Sequence, residues 1–367
     1  MRRLRPTVAE VDLDAIRHNV RALKPPGSEL MAVVKSDGYG HGAVEVARAA
    51  LSAGATWLGV ALVEEGLWLR DAGIEAPILL LSEAPPGGER DAVATGLTPT
   101  VYTDRGIDAL VDVSDPKEHL AVHVKVDTGM HRVGVWPPER VVPFVRRVTD
   151  AGLRFEGLWT HFARAEDDPV LTREQLRRFG RAAEALAGDG LVPKVLHAAN
   201  SAAAIAFPEA HFDLVRIGVA LYGLPPAPGF EPPAGLRPAL TWRSAVSMAR
   251  PLAAGEGLSY GHRHRLERRT TIATVPVGYA DGFSRRLSGS AEVLIGGRRR
   301  PVVGTVTMDQ ILVDCGEEEP RAGDEVVLIG PQGEDRIAAD ELAGWSGTIN
   351  YEIVTGIGPR VPREFRG

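Results

Sequence analysis

Short apolar runs alternate with amphipathic segments between residues 31 and 219. The runs read MAVVK (31–35), WLGVAL (57–62), PILLLS (77–82), TPTVYT (98–103), AVHVKVD (121–127), FEGLWTH (155–161), KVLHAA (194–199) and LVRIGV (214–219). The segments between them, such as 42–55, 137–152 and 172–190, carry apolar positions at helical spacing. Strands that alternate with helices indicate parallel βαβ units. The pattern predicts an α/β fold with an N-terminal (β/α)8 TIM-type barrel, and a doubly wound open sheet is the alternative.

The pattern changes after a proline-rich segment, LPPAPGFEPPAGLRPAL (224–240). Beyond it, β-type runs alternate with glycine-containing turns, which predicts a C-terminal, mainly antiparallel β domain. Gly296-Gly297 is expected to form a hairpin tip. A short helix is predicted around 335–343.

The beginning of the chain predicts a strand of its own. TVAEVDLDAIRHNVRAL is typical of a strand over about 6–13 followed by a helix that Asp12 or Asp14 would open. We expect a barrel over residues 1–235 and a β domain over 236–367. The first strand is a candidate to pair with the second domain.

The composition is that of an ordinary globular protein, with 44% hydrophobic residues, 25% charged residues and a net charge of −6. This charge gives no basic footprint for nucleic acid. Cys315 is the only cysteine, which excludes an internal disulfide and a thiolate zinc cluster, and we expect no metal. No run approaches the ~18 apolar residues of a membrane helix, and no apolar signal core follows Met1. We therefore expect a cytoplasmic enzyme or binding protein with no membrane partner.

Lysine is scarce in this chain, which has only Lys24, Lys35, Lys117, Lys125 and Lys194. Lys35 ends the first apolar run and is followed by the glycine-rich stretch SDGYGHG. Arginine carries most of the positive charge elsewhere. Lysine differs from arginine because it can lose its proton and act as an amine nucleophile. The position of Lys35 therefore predicts a chemical role.

Polar residues stand in or just after several of the predicted strands. They are Lys35, then Lys125 with Asp127 and Arg132, His161, Asn200 with Ser201, and Arg216 with Gly218. The carboxyl ends of barrel strands form one mouth, so we expect these groups to converge there. An open sheet would spread them along an edge, and convergence therefore favours the barrel.

Some of these residues also allow a purely structural interpretation. A lone His161 would more often be structural, and Asn200-Ser201 would be an ordinary helix N-cap. A helix N-terminus also favours phosphate, which Asn200, Ser201 and the Gly218 backbone would bind. A buried Arg216 in an apolar strand would be costly unless its guanidinium were paired. An amine, a phosphate cradle and a buried arginine together indicate a pyridoxal-phosphate site with Lys35 as its Schiff-base lysine.

Nine motifs carry a family resemblance. They are AVVKSDGYGHG, KVDTGMHRVGV, THFARAED, HAANSAAA, VRIGVALYGL, LSYG, VGYADG, GTVTMDQ and NYEIVTG. In their order and approximate spacing they resemble bacterial alanine racemases, over essentially the whole chain. Any one of them alone would be weak, whereas the set is highly specific. The resemblance implies a pyridoxal-phosphate-dependent isomerase that interconverts L- and D-alanine and supplies D-alanine for cell-wall peptidoglycan.

The resemblance also implies a role for each matching position. Lys35 and Tyr260 would be the two acid/base groups, and Lys35 would also hold the cofactor covalently. The cofactor phosphate would bind Tyr39, Ser201, Gly218 and Tyr351. Arg216 would face the pyridine nitrogen, and His161 would bridge Arg216 and Tyr260.

Further implied roles concern the substrate and a second subunit. Arg132 would contact the phenolate oxygen of the ring and lie near the substrate, whose carboxylate the backbone at Met308 would help to hold. Lys125 resembles the family's carbamylated lysine, whose added carboxylate holds Arg132 in place. Tyr260, Tyr279, Met308 and Asp309 would come from the β domain of a partner, so the resemblance implies a homodimer with shared active sites.

The chemistry of racemisation agrees with this assignment. One group must take the Cα proton from one face and another must supply a proton on the opposite face. A tyrosine has an ordinary pKa of about 10, so its anion needs nearby positive charge, which Arg216 with His161 would provide. Arginine does not donate its proton to the ring nitrogen, so the ring stays largely neutral and transamination is limited.

Other functions remain as alternatives. A racemase of broader small amino acids such as serine would share these residues, and Thr307, where many relatives have cysteine or another small residue, bears on that preference. A decarboxylase of the ornithine/diaminopimelate type would lack Tyr260 and carry a cysteine and acidic contacts in its second domain, which disfavours it. A single-barrel carrier of the cofactor would not need 236–367. A scaffold would leave the buried cations unexplained.

Overall fold

A computed structural model describes residues 5–231, 233 and 235–367. The chain divides into two compact units. Ala15–Arg237 forms the first, called the barrel unit here, and the segments that end at Asp14 and begin at Pro238 form the second, called the β unit. The first strand, β1 (Val8–Asp12), belongs to the β unit.

Among the described residues, eight parallel strands build the barrel unit. They are β2 (Glu29–Val33), β3 (Trp57–Val60), β4 (Ile78–Leu80), β5 (Thr100–Val101), β6 (Ala121–Lys125), β7 (Arg154–Trp159), β8 (Val195–His197) and β9 (Leu214–Ile217). Each overlaps one of the eight predicted runs. Valine, leucine and isoleucine are frequent in them, as expected for strands covered on both faces.

These eight strands close into a barrel. Laddered neighbours form two groups, β4-β3-β2-β9 and β5-β6-β7-β8. At one junction the amide of Thr98 donates to the Ile78 carbonyl oxygen at 2.8 Å, and the Thr98 carbonyl oxygen accepts from the Leu80 amide at 2.9 Å. At the other, the Arg216 amide donates to the Ala199 carbonyl oxygen at 3.0 Å. This cyclic order confirms the predicted TIM-type barrel, because an open sheet would leave two edges unjoined.

Helices alternate with the strands. They are α1 (Leu13–Leu23), α2 (Ala43–Ser52), α3 (Val63–Asp71), α4 (Glu89–Ala94), α5 (Asp104–Val111), α6 (Val141–Asp150), α7 (Pro169–Gly188) and α8 (Ser201–Ala206). α7 begins three residues before its predicted start because Asp168 caps it, accepting from the Leu171 amide at 2.9 Å, and Pro169 occupies the first turn. In the described part of the chain, no helix has both the length and the apolar composition needed to cross a membrane.

The barrel interior is arranged in layers. One layer is apolar and takes one buried side chain from each of five strands: Met31, Trp57, Leu79, Val195 and Leu214. Inward-facing positions recur at every second residue of a strand. Two residues after Leu214 comes Arg216, and two residues after Val195 comes His197, both buried. On β8 and β9, the next inward-facing positions toward the carboxyl ends are therefore polar.

The β unit is a mainly antiparallel sheet. Its strands are β10 (Leu240–Ala245), β11 (Met248–Leu252), β12 (Gly257–Leu258), β13 (His264–Arg265), β14 (Thr270–Val275), β15 (Glu292–Ile295), β16 (Arg298–Val303), β17 (Ile311–Asp314), β18 (Glu325–Gln332), β19 (Asp335–Ile337) and β20 (Arg363–Arg366). The main order is β11-β14-β17-β16-β15-β18-β10-β1-β20. β1 pairs antiparallel with β10 and parallel with β20, so the first strand completes the second unit's sheet.

Two local predictions in the β unit have different outcomes. Gly296 and Gly297 have φ of 62° and 73° and join β15 to β16, which confirms the hairpin tip. The helix expected over 335–343 is partly wrong. Asp335–Ile337 forms β19, which pairs with β18, and the helices are α9 (Ala339–Ser346) and α10 (Asn350–Thr355).

The apolar layer of the barrel leads to a test of stability. Leu214→Ala removes a fully buried side chain from this layer. We expect it to lower the free energy of unfolding by about 2–5 kcal/mol because it leaves a cavity. Denaturant unfolding measures the loss. Val192→Ala, at a position 70% exposed, is the matched control and should change stability little; equal stability of the two variants would contradict the layered interior.

Candidate active site

Lys35 lies two residues beyond the end of β2, at the carboxyl end of the barrel strands. Its side chain is half-buried. Burial and then the charge of Arg132 lower the pKa of the Lys35 amine, and the carboxylate of Glu65 acts in the opposite direction. A lowered pKa leaves more of the amine neutral, and the neutral amine is the nucleophile.

A left-handed turn follows Lys35 directly. Five consecutive residues have positive φ: Ser36 (53°), Asp37 (51°), Gly38 (61°), Tyr39 (52°) and Gly40 (77°). For a residue other than glycine this conformation costs roughly 1–2 kcal/mol. Strain of this kind persists only where surrounding contacts impose it, and it concentrates at functional sites. The turn takes the chain from Lys35 to the buried ring of Tyr39 within four residues.

Arg216 is buried inside the barrel, where both of its terminal nitrogens are hydrogen-bonded. Its Nη2 donates to the carbonyl oxygens of Thr160 at 2.7 Å and Ala198 at 2.9 Å, and its Nη1 donates to that of His197 at 3.0 Å. The guanidinium lies 4.7 Å from the ring centroid of Trp159. These carbonyl dipoles and the aromatic face compensate for burial of the charge. Burial nevertheless lowers the pKa of Arg216 to about 9.

Histidines surround the guanidinium of Arg216. His161 Nδ1 lies 3.4 Å from Nη2, and burial together with Arg216 holds the pKa of His161 well below its ordinary value. His197 Nδ1 faces Nη1 at 3.2 Å, and His197 Nε2 faces His123 Nδ1 at 2.9 Å. Because arginine only donates, His197 Nδ1 must carry the lone pair and Nε2 the proton. The predicted proximity of His161 and Arg216 is therefore observed, and neutral imidazoles contact the arginine.

Lys125 ends β6 and is 3% exposed. Its Nζ lies 4.1 Å from the ring centroid of Trp159, the same indole that lies against Arg216. Burial, then the charges of Arg132 and Arg216, lower the pKa of Lys125 to about 7. This lowered pKa makes the neutral amine accessible near neutral pH.

The loop that carries Arg132 is held by Asp127. One carboxylate oxygen of Asp127 accepts from the amides of Gly129 at 2.9 Å, Met130 at 3.1 Å and His131 at 3.1 Å. The Arg132 side chain itself is exposed. This arrangement shapes the loop so that Arg132 projects from its end, close enough to affect both Lys35 and Lys125 electrostatically.

Tyr39, Ser201 and Gly218 meet at the carboxyl ends of β8 and β9. Ser201 Oγ accepts from the Gly218 amide at 2.9 Å. A Cβ atom on Gly218 would lie 2.6 Å from the Tyr39 hydroxyl oxygen, so only glycine fits at this position. Asn200 caps α8 through its side-chain oxygen, which accepts from the Ala203 amide at 2.9 Å. The structure therefore brings these four predicted residues together, with Asn200 acting locally as the expected N-cap.

This set of groups fits pyridoxal phosphate. The site offers a nucleophilic amine on Lys35, the hydroxyls of Tyr39 and Ser201 beside the Gly218 backbone, and a buried cation on Arg216. These are the groups that an aldehyde, a phosphate and a pyridine ring require. The fit rests on the missing side chain of Gly218, which lets the Tyr39 hydroxyl approach this backbone to 2.6 Å from where a Cβ atom would lie, with the Ser201 hydroxyl 3.9 Å from the same point.

The remaining predicted residues belong to the β unit. Tyr260, Met308 and Tyr279 are 74%, 51% and 42% exposed, respectively. Asp309 accepts from Arg360 Nη2 at 2.7 Å, and Tyr351 is half-buried in α10. Tyr260, Met308 and Tyr279 are therefore large, partly apolar side chains at the surface of the β unit.

Thr307 has a structural role that the sequence did not indicate. Its hydroxyl donates to the Gln310 carbonyl oxygen at 2.8 Å and accepts from the Gln310 amide at 3.1 Å. The Thr307 and Met308 carbonyl oxygens accept from the amides of Tyr279 at 3.0 Å and Ala280 at 3.1 Å. The threonine therefore closes the turn that presents Met308 and Asp309.

Two buried residues near the site were not predicted. Gln175 in α7 donates to the Thr128 hydroxyl at 3.3 Å and the His161 carbonyl oxygen at 3.2 Å, and accepts from the Ala163 amide at 2.9 Å, which ties together the loops after β6 and β7. Glu65 in α3 accepts from the Ser36 amide at 2.6 Å. In the sequence each is an ordinary polar residue of an amphipathic helix. Only their burial and long-range bonds distinguish them.

Two family models, one after the other, match most of the chain. Residues 11–226 match the alanine racemase N-terminal domain, and residues 239–365 match the alanine racemase C-terminal domain. An alanine racemase of Symbiobacterium thermophilum is 52% identical, with 99% of this chain and 98% of the relative covered. An alanine racemase of Frankia casuarinae is 44% identical, with 97% and 95% covered.

Solved structures agree in fold. The alanine racemase of D-cycloserine-producing Streptomyces lavendulae has a TM-score of 0.93 at 42% identity, covering 100% of this chain and 98% of its own. The enzyme of Bacillus anthracis with bound L-Ala-P has a TM-score of 0.94 at 41% identity, covering 100% and 96%. The Bartonella henselae enzyme has a TM-score of 0.88 at 30% identity, covering 98% and 99%.

These matches agree with the barrel and β unit and with the family resemblance of the motifs. The matches extend through both units, and the two curated relatives are named alanine racemases. The chain therefore belongs to the alanine racemase family and is an enzyme that racemises alanine.

Proposed function

We propose that this racemase depends on pyridoxal phosphate and uses two acid/base groups, Lys35 and Tyr260. The observation that carries the proposal is the amine of Lys35, which is half-buried, has a lowered pKa and lies at the same end of the barrel as Tyr39, Ser201 and Gly218. The Bartonella henselae relative, described with covalently bound pyridoxal phosphate, supports the cofactor. When bound, the cofactor would hold the substrate's amino group and delocalise the electron pair left at Cα.

The phosphate group would be bound by Tyr39, Ser201 and the Gly218 amide, with Asn200 fixing the start of α8 and Tyr351 contributing from the β unit. Support comes from the Ser201–Gly218 hydrogen bond of 2.9 Å and from the missing side chain of Gly218, which lets the Tyr39 hydroxyl lie close to the same backbone. Hydroxyl and backbone donors suit a phosphate because they satisfy its oxygens without an added counter-ion.

Arg216 would donate a hydrogen bond to the pyridine nitrogen without protonating it. Its three carbonyl acceptors hold the guanidinium in one orientation, and arginine keeps its proton even where burial lowers its pKa to about 9. The ring nitrogen would then stay neutral, so the electron pair would return to Cα, and Cα would be protonated. His161, neutral beside Arg216, would transmit the positive field of the arginine toward Tyr260.

Lys125 would be carbamylated. The amine nitrogen would attack carbon dioxide, form an N–C bond and release one proton, which requires the neutral amine that a pKa of about 7 supplies. The product is a carboxylate among cations, and it would pair with Arg132. Arg132 would then be oriented toward the phenolate oxygen of the ring and the substrate, whose carboxylate the Met308 backbone would help to bind.

Tyr260 would act on the substrate face opposite Lys35, and we propose that a partner subunit supplies it. A homodimer would also bring Tyr279, Met308 and Asp309 of the partner subunit to the site. The exposure of Tyr260, Tyr279 and Met308 in a single chain supports this assembly, because exposed side chains of this size are typical of interfaces. The enzyme would act in the cytoplasm and supply D-alanine for peptidoglycan.

Lys35→Ala tests the proposed cofactor attachment. The purified wild-type protein with added pyridoxal phosphate should show the visible band of a lysine-bound cofactor and should convert L-alanine to D-alanine. The variant should lose both, because it removes the amine next to the turn that carries Tyr39. An absorption spectrum and chiral analysis of the product measure the two effects. Lys24→Ala, at a lysine that bonds the Gly54 carbonyl oxygen, is the control. A band that persists in Lys35→Ala would refute the proposal.

Tyr260→Phe tests the second acid/base group. Racemisation should fall by ~10²–10⁴-fold, the usual contribution of a positioned acid/base group. In deuterium oxide, one enantiomer of alanine should still exchange its Cα hydrogen, because Lys35 remains intact on its face. Mass spectrometry of each enantiomer measures the exchange. Tyr102→Phe is the matched control and should behave as the wild type. Exchange lost equally for both enantiomers would contradict the two-group assignment.

Arg216→Glu tests the control of reaction type. A carboxyl group can bind a protonated ring nitrogen, so transamination should rise while racemisation falls by about 10²–10³-fold. The ratio of pyruvate to D-alanine measures the partitioning. Arg216→Gln, which offers no such charge, should lower racemisation without raising pyruvate. Unchanged partitioning in a folded Arg216→Glu protein would refute the role given to Arg216.

A further inference from the structure

Glu65 is a buried carboxylate near the site with no part in the function proposed above. It is the third residue of α3 and is 7% exposed, whereas its neighbour Glu64 is exposed. A buried carboxylate is costly unless hydrogen bonds or a cation compensate for it. Its contacts therefore indicate what it does.

Both carboxylate oxygens of Glu65 are engaged. Oε2 accepts from the amides of Ala61 at 2.8 Å and Leu62 at 3.2 Å, which is ordinary capping at the start of α3. Oε1 accepts from the amide of Ser36 at 2.6 Å, in a segment 29 residues away along the chain. One carboxylate therefore joins the start of α3 to the residue immediately after Lys35.

Ser36 is the first residue of the left-handed turn. Farther along, the turn is held by the Gly38 amide, which donates to the Val34 carbonyl oxygen at 2.8 Å, and by Asp37, which accepts from the Ala43 amide at 2.9 Å. The bond to Glu65 anchors its beginning. Because Ser36 adjoins Lys35, fixing the Ser36 amide also fixes the backbone from which the lysine side chain extends.

The charge of Glu65 also acts on Lys35. Several groups face the lysine: Arg132, Lys125, His161 and Glu65. The first two are cations, and His161 is held neutral by burial, whereas Glu65 supplies negative charge that favours the protonated amine. Glu65 therefore contributes a hydrogen bond to Ser36 and a charge that acts on the adjacent Lys35.

We propose that Glu65 is a positioning residue for Lys35, whose carboxylate fixes the left-handed turn to the start of α3 and balances the cations around the lysine amine. The geometric part of this inference rests on the contacts above, and its consequence for cofactor attachment rests on the proposed function. If Glu65 were only a helix cap for α3, its substitution would leave both the left-handed turn and Lys35 unchanged.

Glu65→Gln in the protein freed of cofactor tests the proposal, with the exposed Glu64→Gln as the matched control. Gln keeps the shape but loses the charge and must turn an N–H toward one of the amides it bonded. Amide hydrogen exchange in segment 34–42 should become faster by about tenfold or more in Glu65→Gln and stay as in the wild type in Glu64→Gln. Unchanged exchange in that segment would overturn the proposal.

The pH dependence of covalent capture of pyridoxal phosphate gives a second readout, because the neutral amine captures the aldehyde. Removing the negative charge of Glu65 lowers the pKa of Lys35, so the midpoint of the capture rate should move to lower pH. The plateau rate at high pH should also fall, because the turn is less well fixed. Glu64→Gln should change neither quantity. A folded Glu65→Gln with the wild-type midpoint and plateau would overturn the proposal.

Glu65→Asp covers the case in which Glu65→Gln does not fold. Aspartate keeps the charge but is too short to bond both segments, so the midpoint should stay near that of the wild type while exchange in 34–42 becomes faster. Exchange as slow as in the wild type would overturn the inference. If the wild-type protein captures no pyridoxal phosphate, the proposed function fails, and hydrogen exchange alone still decides whether Glu65 holds the turn.

Discussion

Positive charge concentrated at one end of the barrel is the constraint on which the site depends. The charges of Lys35, Lys125, Arg132 and Arg216 lie close enough to act on one another, and the pKa values of both lysines are lowered. Like charges taken out of water raise the free energy of the folded protein unless anions or dipoles offset them. Such a site is stabilised by binding anions, and a phosphorylated cofactor and a carboxylate substrate are both anions.

The surrounding structure supports this charge with rigid, mostly uncharged groups. Three carbonyl oxygens hold the Arg216 guanidinium, and the indole of Trp159 contacts both that guanidinium and the Lys125 ammonium group. Neutral histidines complete the layer around Arg216. A carboxylate hydrogen-bonded to the Arg216 guanidinium would have reduced its positive field. Carbonyl and aromatic groups stabilise the cations and leave that field available to the site.

The division of residues between the two units follows from the chemistry they would carry. The barrel unit contains Lys35, Ser201, Arg216 and Gly218, all buried or half-buried residues in or just after its strands. The β unit presents Tyr260, Tyr279 and Met308 on its surface. Groups that must approach a substrate from opposite sides are easier to place on separate bodies than on one strand end, since a single strand end projects its side chains from one side.

The sequence by itself determined the eight barrel strands, the antiparallel β unit and the family, because strand and helix patterns and short motifs are local properties. It misplaced the start of α7 and the helix after β19, where a cap or a neighbouring strand decided the boundary. The tertiary structure alone decided that Glu65 bonds Ser36, that His123 faces His197 and that Gln175 joins two loops. The Glu65–Ser36 contact joins residues 29 positions apart, the His123–His197 contact spans 74 positions, and the Gln175–Thr128 contact spans 47. No local sequence pattern encodes which distant polar groups burial will bring together.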